Sequence, residues 1–457
     1  MHTRNKKVHF IAIGGSVMHG LAIAMHQQGY QVSGSDDQIT GLSKTNLEKH
    51  GLLPEPGWDA SRITAQLDGV ILGMHAKKNN PELKKAQDLG LKIYSYPSYI
   101  MEQCQDKQRI VIAGSHGKTS ITAMIIHVLQ YLNKDFDYLI GSKVAGFDNL
   151  IRLSEAPVII IEGDEYLSSA IDDKPKFLQY QHHIGLISGI AWDHMNVFPT
   201  EENYVRQFDR FADSLPKAGS IVFCEEDGMA SVIGNKERAD VNRVEYKTHP
   251  HFVKDGKTYL TTDNGDVPLL VFGSHNMQNI AGAKAVLARL GITDEQFYEA
   301  ITTFKGANRR LEMVNQNHST TIYKDFAHAP SKAKATIKAL KEQSARELVA
   351  CLELHTYSSL NKDFLPQYSG KLSEAEYPVV YFNPETLANK NLPDLNEDSV
   401  KKAFNLESLE VFTDKNALVS YLMNINWQNK NLVMMSSGDF GGIDLQELGK
   451  DIISRCN

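Results

Sequence analysis

The sequence predicts an α/β protein whose parallel sheets carry helices on their faces. Short apolar runs rich in β-branched residues alternate with longer helical patterns, and the alternation starts again near residues 107 and 315. Strands that alternate with helices typically form parallel sheets. A chain of 457 residues is also too long for a single hydrophobic core. We therefore expect three domains, which cover residues 1–106, 107–314 and 315–457.

The first predicted domain begins with a strand over residues 8–14 that leads into a helix opened by the sequence G-G-S-V-M. Further strands are predicted over residues 31–35 and 69–73. Asp36 ends the second strand, about twenty positions after the glycine turn, which is the spacing of a dinucleotide-binding fingerprint. Ala12 stands where relatives of this pattern have a glycine, so the full G-x-G-x-x-G is absent. By itself, this pattern is only weak evidence for a dinucleotide-binding site.

A tight glycine loop is predicted at the start of the second domain. A strand over residues 109–113 precedes it, and a helix over residues 118–132 follows it. Gly114 and Gly117 allow backbone N–H groups to turn toward phosphate oxygens at a helix N-terminus. The standard pattern has its first glycine at position 112, where this chain has isoleucine. An ordinary turn and helix start is therefore the alternative interpretation.

Three polar residues at the start of this helix suit a nucleotide phosphate. Lys118 supplies a compact cation for the β- and γ-phosphates, and Thr119 or Ser120 can hold Mg²⁺. The strand–loop–helix context therefore favours nucleotide binding. The remaining apolar runs are predicted to be buried strands, over residues 157–161, 184–190, 348–352 and 432–435. One more strand is predicted to end at residues 323–325.

Charge, cysteine spacing and hydropathy limit the partners and the compartment. The net charge of −7 argues against non-specific binding to nucleic acid or to an acidic membrane. No apolar run approaches the ~20 residues of a membrane span, and Met1 to Arg4 do not begin an export signal. We expect a cytoplasmic protein with free thiols. The scattered cysteines are Cys104, Cys224, Cys351 and Cys456.

Six segments, in one order along nearly the whole chain, resemble motifs of the Mur ligase family. They are G-S-H-G-K-T-S (114–120), I-E-G-D-E-Y (161–166), W-D-H-M (192–195), G-S-H-N-M-Q-N (273–279), R-R-L-E (309–312) and D-F-A-H (325–328). The resemblance implies a Rossmann-like N-terminal domain for a UDP-sugar, a central P-loop ATPase domain, and a C-terminal Rossmann-like domain that closes over the site. It also implies a reaction in which ATP and Mg²⁺ activate the carboxylate of UDP-N-acetylmuramate as an acyl phosphate, which a small amine or peptide then attacks.

The resemblance assigns roles to individual residues. Lys118, Arg310 and His328 are expected at the reacting groups, with Arg310 on the γ-phosphate. The implied metal ligands are Thr119, Glu165 and His194. The implied nucleotide contacts are Gly114, Gly117, Lys118, Thr119, Ser120, His275, Asn276, Asn279, Arg310 and Asp325, with Asn276 and Asn279 on adenine and Asp325 on the ribose. The implied substrate contacts are Gly14, Gly15, Ser16, Met18, Asp36 and His355.

Several of these assignments have a plain structural alternative. Glu165 could cap the next element, and His194 could be an ordinary loop histidine. Asn276 could cap its helix, and Arg310 could form a surface ion pair with Glu312 or another acidic residue. The segment N-P-E at residues 80–82 also matches a family motif, and it lies near the sugar nucleotide or serves the fold alone.

The chain departs from the family at the metal site. Several relatives carry a carbamylated lysine downstream of the D-H motif, but no lysine lies between His194 and Phe208 here, and Arg206 stands where some relatives have it. Gly189 and Ala191 replace the asparagine and glutamate that relatives place before D-H. We therefore expect a second metal site of different construction.

Two acceptors compete within the family: L-alanine, and the recycled tripeptide L-Ala-γ-D-Glu-meso-diaminopimelate. Tyr166 and the segments 173–177 (D-K-P-K-F), 325–328 and 438–443 (G-D-F-G-G-I) resemble members that attach the tripeptide. The segment E-L-H-T-Y, with His355, resembles alanine-adding members. The residues favour the tripeptide. Outside the family, the rival interpretations are a P-loop ATPase or kinase, a non-catalytic nucleotide-binding regulator, and a dehydrogenase suggested by the first fifty residues.

Overall fold

The computed structural model describes residues 6–308 and 310–455, which form an N-terminal, a central and a C-terminal α/β unit. The prediction of an α/β protein with parallel sheets is confirmed. Met1 to Arg4, Arg309 of the R-R-L-E segment and Cys456 lie outside the described residues. The domain boundaries near residues 107 and 315 stay predictions.

The N-terminal unit is a four-stranded parallel sheet in the order β2-β1-β3-β4. Its strands are β1 (Lys7–Ile11), β2 (Gln31–Ser35), β3 (Gly69–Leu72) and β4 (Ile93–Ser95), and its helices are α1 (Ser16–Gln27), α2 (Gly41–Lys49), α3 (Pro81–Asp88) and α4 (Tyr96–Gln103). β1 is shorter than predicted because Ala12 has a φ of +65° and breaks the extended chain. A residue with a Cβ atom adopts this conformation at a cost of about 1–2 kcal/mol, which glycine avoids.

The segment Asn80-Pro81-Glu82 begins helix α3. The Asn80 side chain accepts hydrogen bonds from the N–H groups of Glu82 and Leu83, at 2.9 and 3.1 Å, and Pro81 occupies the first helical position. Glu82 is completely buried and accepts hydrogen bonds from Ser35 and from the N–H group of Asp59. These contacts support the alternative in which the N-P-E motif serves the fold.

The central unit contains a seven-stranded sheet in the order β13-β12-β11-β5-β8-β6-β7, parallel except for β7. Its strands are β5 (Gln108–Ala113), β6 (Asp137–Leu139), β7 (Ile151–Arg152), β8 (Val158–Glu162), β11 (Ile184–Ile187), β12 (Ser220–Cys224) and β13 (Asn242–Tyr246). Two small antiparallel sheets join β9 (Leu167–Ser169) to β10 (Asp172–Pro175) and combine β14 (His251–Lys254), β15 (Lys257–Thr262) and β16 (Gly265–Pro268). The helices are α5 (Lys118–Tyr131), α6 (Glu201–Asp213), α7 (Gly228–Gly234), α8 (Ser274–Arg289) and α9 (Asp294–Ile301).

Strand β11 ends three residues before the predicted end at Ile190. Ser188 to Ile190 leave the strand because they turn beneath the glycine loop, where the Ser115 N–H group donates to the Gly189 carbonyl at 2.9 Å. Gly189 has a φ of +155°, and a Cβ atom there would lie 2.5 Å from the His116 ring. The glycine that departs from the family pattern therefore gives His116 its space.

The C-terminal unit is a six-stranded sheet in the order β17-β18-β22-β19-β20-β21, with only β17 antiparallel to its neighbour among the described strands. Its strands are β17 (Glu312–Gln316), β18 (Thr320–Asp325), β19 (Glu347–Glu353), β20 (Tyr377–Tyr381), β21 (Glu410–Phe412) and β22 (Lys430–Met435). Its helices are α10 (Pro330–Gln343), α11 (Pro384–Asn389), α12 (Glu397–Phe404), α13 (Lys415–Asn424) and α14 (Leu445–Ser454). The chain thus enters this sheet at Glu312.

Buried apolar side chains line both faces of the central and C-terminal sheets. Cys104, Cys224 and Cys351 are buried free thiols, as predicted. Among the described helices, none combines the length and the apolar character that crossing a bilayer requires.

Candidate active site between the central and C-terminal units

The glycine loop follows β5 and leads into α5, as the sequence predicts. Gly117 caps α5 with a φ of +77°, and Gly114 has a φ of +131° with Ser188 Oγ filling the space beside it. Lys118 Nζ donates to the Gly114 carbonyl and to Glu165 Oε2, both at 2.6 Å. The loop therefore places a lysine at the N-terminus of a helix, which is the arrangement that binds phosphate.

Replacing Gly117 with alanine is expected to weaken the binding of a non-hydrolysable ATP analogue by at least about tenfold, or about 1.4 kcal/mol. A Cβ atom at this position would lie 2.4 Å from Asn279 Oδ1, and the positive φ adds about 1–2 kcal/mol of strain. Calorimetric titration measures the affinity. Gly90→Ala is the matched control, because Gly90 has a φ of +65° and a Cβ atom there would have no neighbouring atom within 4 Å. Equal affinities in the two variants would contradict the loop's role.

An acidic cluster lies beside Lys118. Ligand atoms of Asp164, Glu165 and His194 all lie within 4.8 Å of one another. Glu165 is buried, and its Oε1 accepts a hydrogen bond from Tyr204 at 2.8 Å and lies 3.5 Å from His194 Nε2. Two carboxylates are the oxygen donors that Mg²⁺ prefers, with the imidazole as a less usual third donor. The donor set fits a divalent cation.

Glu165 is ionised in this environment. Burial by itself would raise its pKa, but the charge of Lys118 and the hydrogen bond to His194 hold the pKa well below its usual value. Asp164 is paired with Lys176 at 2.5 Å. The alternative in which Glu165 caps the next element has no support, since its oxygens contact Lys118, Tyr204 and His194.

The side chains of Thr119 and Glu162 place two further oxygen atoms near the start of α5. Thr119 Oγ1 donates to Glu162 Oε1 at 2.7 Å, and Arg310 Nη2 donates to Thr119 Oγ1 at 3.1 Å. Glu162 ends β8, the strand that pairs with β5. Glu162 is not among the residues predicted from the sequence, although an acidic residue at the end of an apolar strand next to the phosphate loop is a usable signal.

Helix α8 supplies the amide-rich part of the site. Gly273 caps this helix and Asn276 is its third residue, so the interpretation of Asn276 as the helix cap is wrong. Asn276 Nδ2 donates to the Phe272 carbonyl at 2.8 Å, and Asn279 Nδ2 lies 3.5 Å from Asn276 Oδ1. His275 Nδ1 is buried, and no described residue bonds to it. Gly117 and Asn279 are in close contact.

The C-terminal unit reaches this site through the segment around β18. The Arg310 guanidinium lies 4.8 Å above the Phe326 ring. Asp325 accepts hydrogen bonds from the Leu311 N–H group and from Thr336, so its carboxylate is already engaged within the fold. Glu312, which the alternative interpretation gives to Arg310 as a partner, forms an ion pair with Lys324 at 3.0 Å.

His328 is buried and neutral. Burial lowers its pKa to about 3, chiefly through loss of water, and the charge of nearby Lys332 acts in the same direction. His328 Nδ1 lies 2.9 Å from the Phe326 carbonyl oxygen. A carbonyl oxygen only accepts, so Nδ1 carries the hydrogen and Nε2 keeps its lone pair.

These groups enclose a cavity of about 520 Å³ between the central and C-terminal units. Twelve predicted site residues line it: Gly117, Lys118, Thr119, Ser120, Glu165, His194, His275, Asn276, Asn279, Arg310, Asp325 and His328. The lining residues that sequence reasoning missed include Glu162, Asp193 and Lys332. Nothing in the sequence around Lys332 distinguishes it from the exposed lysines of the same helix.

The predicted substrate contacts of the N-terminal unit lie outside this cavity. The Gly14 N–H group donates to Asp36 at 2.7 Å, and Gly15 and Ser16 begin α1 next to that bond. The side chain of Met18 is buried in the apolar core beneath α1, and its role as a substrate contact stays a prediction. His355 lies elsewhere, 3.8 Å from the buried Glu353.

Arg206 does not take part in the acidic cluster. It is exposed on α6, where it pairs with Glu202 at 3.1 Å. Tyr204, two residues earlier, turns inward and joins Ser115 to Glu165 through hydrogen bonds of 2.8 Å each. Tyr204 thus bonds to Oε1 of the Glu165 carboxylate, whereas Lys118 bonds to Oε2.

A phosphate loop, an acidic cluster and a third α/β unit that closes the cavity define a nucleotide-dependent enzyme of three domains. Three family descriptions match the chain in order: Mur ligase family, catalytic domain over residues 7–108; Mur ligase middle domain over 112–287; and Mur ligase, glutamate ligase domain over 309–438. The chain belongs to the Mur ligase family. It is therefore an ATP-dependent, amide-forming ligase of peptidoglycan synthesis, and the kinase, regulator and dehydrogenase interpretations are wrong.

Relatives with two different names match almost the whole chain. The UDP-N-acetylmuramate–L-alanine ligase of Clostridium kluyveri is 28% identical over 95% of this chain and 96% of the relative. The UDP-N-acetylmuramate–L-alanyl-gamma-D-glutamyl-meso-2,6-diaminoheptandioate ligase of Haemophilus influenzae is 28% identical over 97% and 99%. A murein peptide ligase structure from Psychrobacter arcticus, 21% identical, shares the fold with a TM-score of 0.68 over 99% of this chain and 98% of that one.

Proposed function

We propose that the chain joins the carboxylate of UDP-N-acetylmuramate to the amine of the tripeptide L-Ala-γ-D-Glu-meso-diaminopimelate, with ATP as the energy source, in peptidoglycan recycling. Two cations meet at the start of α5, and this observation supports the ATP site. Lys118 belongs to the central unit, and Arg310 lies in the segment that leads into the C-terminal unit. A carboxylate and an ammonium do not condense in water, so the acid must first be activated. Phosphoryl transfer from ATP supplies that activation.

Lys118 and Arg310 are proposed to contact the transferring phosphoryl group. Both are cations at the phosphate loop, and a guanidinium offers phosphate a planar pair of donors. Developing negative charge on the phosphoryl oxygens is stabilised by such fixed donors. The lysine exchanges its contact with Glu165 for the nucleotide when ATP binds.

Thr119, Glu165 and His194 are proposed to hold magnesium, with Asp164 and Glu162 close enough to assist. Bound magnesium would neutralise the phosphate charge. Tyr204 keeps the Glu165 carboxylate in place and Lys176 balances Asp164, so the cluster does not depend on a modified lysine. We propose that this arrangement takes the place of the modified lysine that several relatives have and this chain lacks.

His328, in its neutral form, is proposed to accept a hydrogen bond from the attacking amine. Its Nε2 lone pair is available because Nδ1 is bonded to the Phe326 carbonyl. The amine displaces phosphate from the acyl phosphate and forms the amide. The low pKa of His328 makes it an orienting acceptor, since a strong base would require a pKa near 7.

Two residues of the tripeptide-like motifs lie beside the acidic cluster, which supports the choice of acceptor. The Tyr166 ring packs edge-on to His194 with centroids 5.1 Å apart, and its hydroxyl is bonded to Asn196 at 2.8 Å. Lys176, from the D-K-P-K-F segment, pairs with Asp164 and lies 5.5 Å from the Tyr166 ring. The alanine-like residue His355 is more than one-third exposed and outside the cavity. L-alanine is the second candidate.

Phosphate release and product mass distinguish the two acceptors. The purified protein is incubated with UDP-N-acetylmuramate, ATP and Mg²⁺, and with either the tripeptide or L-alanine. We expect kcat/KM for the tripeptide to exceed that for L-alanine by at least about 100-fold, since the tripeptide offers two extra carboxylate contacts at about 1.5 kcal/mol each. Preference for L-alanine would overturn the tripeptide assignment, and no amide with either acceptor would overturn the proposed reaction.

A further inference from the structure

Lys332 is a cation of the active-site cavity that the described fold leaves without a partner. It lines the cavity together with Lys118, Arg310 and His328. No ion pair or hydrogen bond joins it to any residue within 6–308 or 310–455, whereas Lys118 and Lys176 are each paired with a carboxylate. A partly buried ammonium with no carboxylate in direct contact is unfavourable in a folded protein.

The position of Lys332 on its helix is also unfavourable. Helix α10 begins with Pro330, so Lys332 lies in the first turn, where the helix dipole is positive and acidic residues are preferred. Its pKa is lowered chiefly by removal from water. The charges of Lys118 and Arg310 lower it as well, against the opposing charges of Asp193 and Glu165. Nothing in the folding of this segment favours a lysine here.

We propose that Lys332 contacts the phosphoryl group that passes from ATP to the substrate carboxylate, as a third cation beside Lys118 and Arg310. An anion with several charged oxygens would satisfy all three cations, and it would lie against the N-terminus of α10 as well as that of α5. This inference rests on the proposed function, which supplies the phosphoryl group. It adds a catalytic contact from a helix that closes over the site from the C-terminal unit.

The proposed phosphoryl transfer balances in atoms and in charge. The substrate carboxylate oxygen attacks the γ-phosphorus, the bond from that phosphorus to the β–γ bridging oxygen breaks, and ADP leaves with the electron pair. Negative charge shifts toward the ADP leaving group, while the three other oxygens stay on the transferred group. Lys332 donates hydrogen bonds to those oxygens and neither gains nor loses a proton overall.

The test compares Lys332→Met and Lys332→Arg with Lys334→Met, an exposed lysine of the same helix that does not line the cavity. We expect Lys332→Met to lower kcat by about 10- to 100-fold, the range of a lost charge-assisted hydrogen bond, with a smaller loss in Lys332→Arg. The ligand-free Lys332→Met protein should melt at the same or a higher temperature, because an unpaired cation has been removed. Lys334→Met should behave as the unaltered protein.

A second measurement identifies the contact. Calorimetric titration compares a non-hydrolysable ATP analogue with ADP, and Lys332→Met should lose most of the preference for the analogue. A normal kcat with an intact preference for the analogue, or a lower melting temperature, would overturn the inference. If the unaltered protein forms no amide with either acceptor, the proposed function fails, and the titrations still decide whether Lys332 contacts a γ-phosphate.

Discussion

Replacing Lys118 with alanine is expected to lower amide-forming turnover by at least about 100-fold, the usual effect of removing one charged donor from a transition state. Lys118 is the cation of the phosphate loop, and its Nζ lies 2.6 Å from both the Gly114 carbonyl and Glu165. Phosphate release in the presence of UDP-N-acetylmuramate and the tripeptide measures the effect. Near-normal turnover would refute the assignment of the loop.

A loss of stability could imitate this result, because Lys118 balances the buried Glu165. The Glu165 side chain is only 2% exposed, and removing one partner of a buried ion pair can cost about 3–5 kcal/mol. The double variant Lys118→Met/Glu165→Gln removes both charges and should recover most of the stability without recovering turnover. A double variant that regained activity would show that Lys118 acts through the fold alone.

Replacing Glu165 with glutamine is expected to raise the Mg²⁺ concentration needed for half-maximal turnover by at least about tenfold, or about 1.4 kcal/mol. The change removes one negative charge from the cluster with Asp164 and His194 and keeps the shape of the side chain. The amide can still accept the hydrogen bond from Tyr204, which keeps the side chain in place although the ion pair with Lys118 is lost. Turnover as a function of Mg²⁺ concentration at saturating ATP measures the shift.

The control for this variant is Glu202→Gln on α6. Glu202 is an exposed carboxylate whose partner is Arg206, and it does not line the cavity. The two substitutions are chemically identical, so only the loss of a ligand distinguishes them. An unchanged Mg²⁺ dependence in Glu165→Gln would remove Glu165 from the set of metal ligands.

The local pattern of the chain was sufficient for much of the fold. Strand–helix alternation identified β2, β5, β18 and β22, because each element is defined by a short run of neighbouring residues. The errors occur where a distant contact overrides that pattern. β11 ends early because Ser188 to Ile190 turn to support the glycine loop, and β1 ends early at the left-handed Ala12.

The sequence by itself determined the family and the phosphate loop, because glycine, lysine and threonine at fixed neighbouring positions carry their function through local geometry. It also identified, by motif order, twelve of the residues that line the cavity. Only the tertiary structure decided which polar groups bond to one another there. Thr119 is hydrogen-bonded to Glu162, and Tyr204 is hydrogen-bonded to Glu165. Lys332 has no partner among the residues described. The two hydrogen bonds join residues that lie 43 and 39 positions apart in the chain. Electrostatic pairing depends on distance in space and on burial, which no linear pattern records.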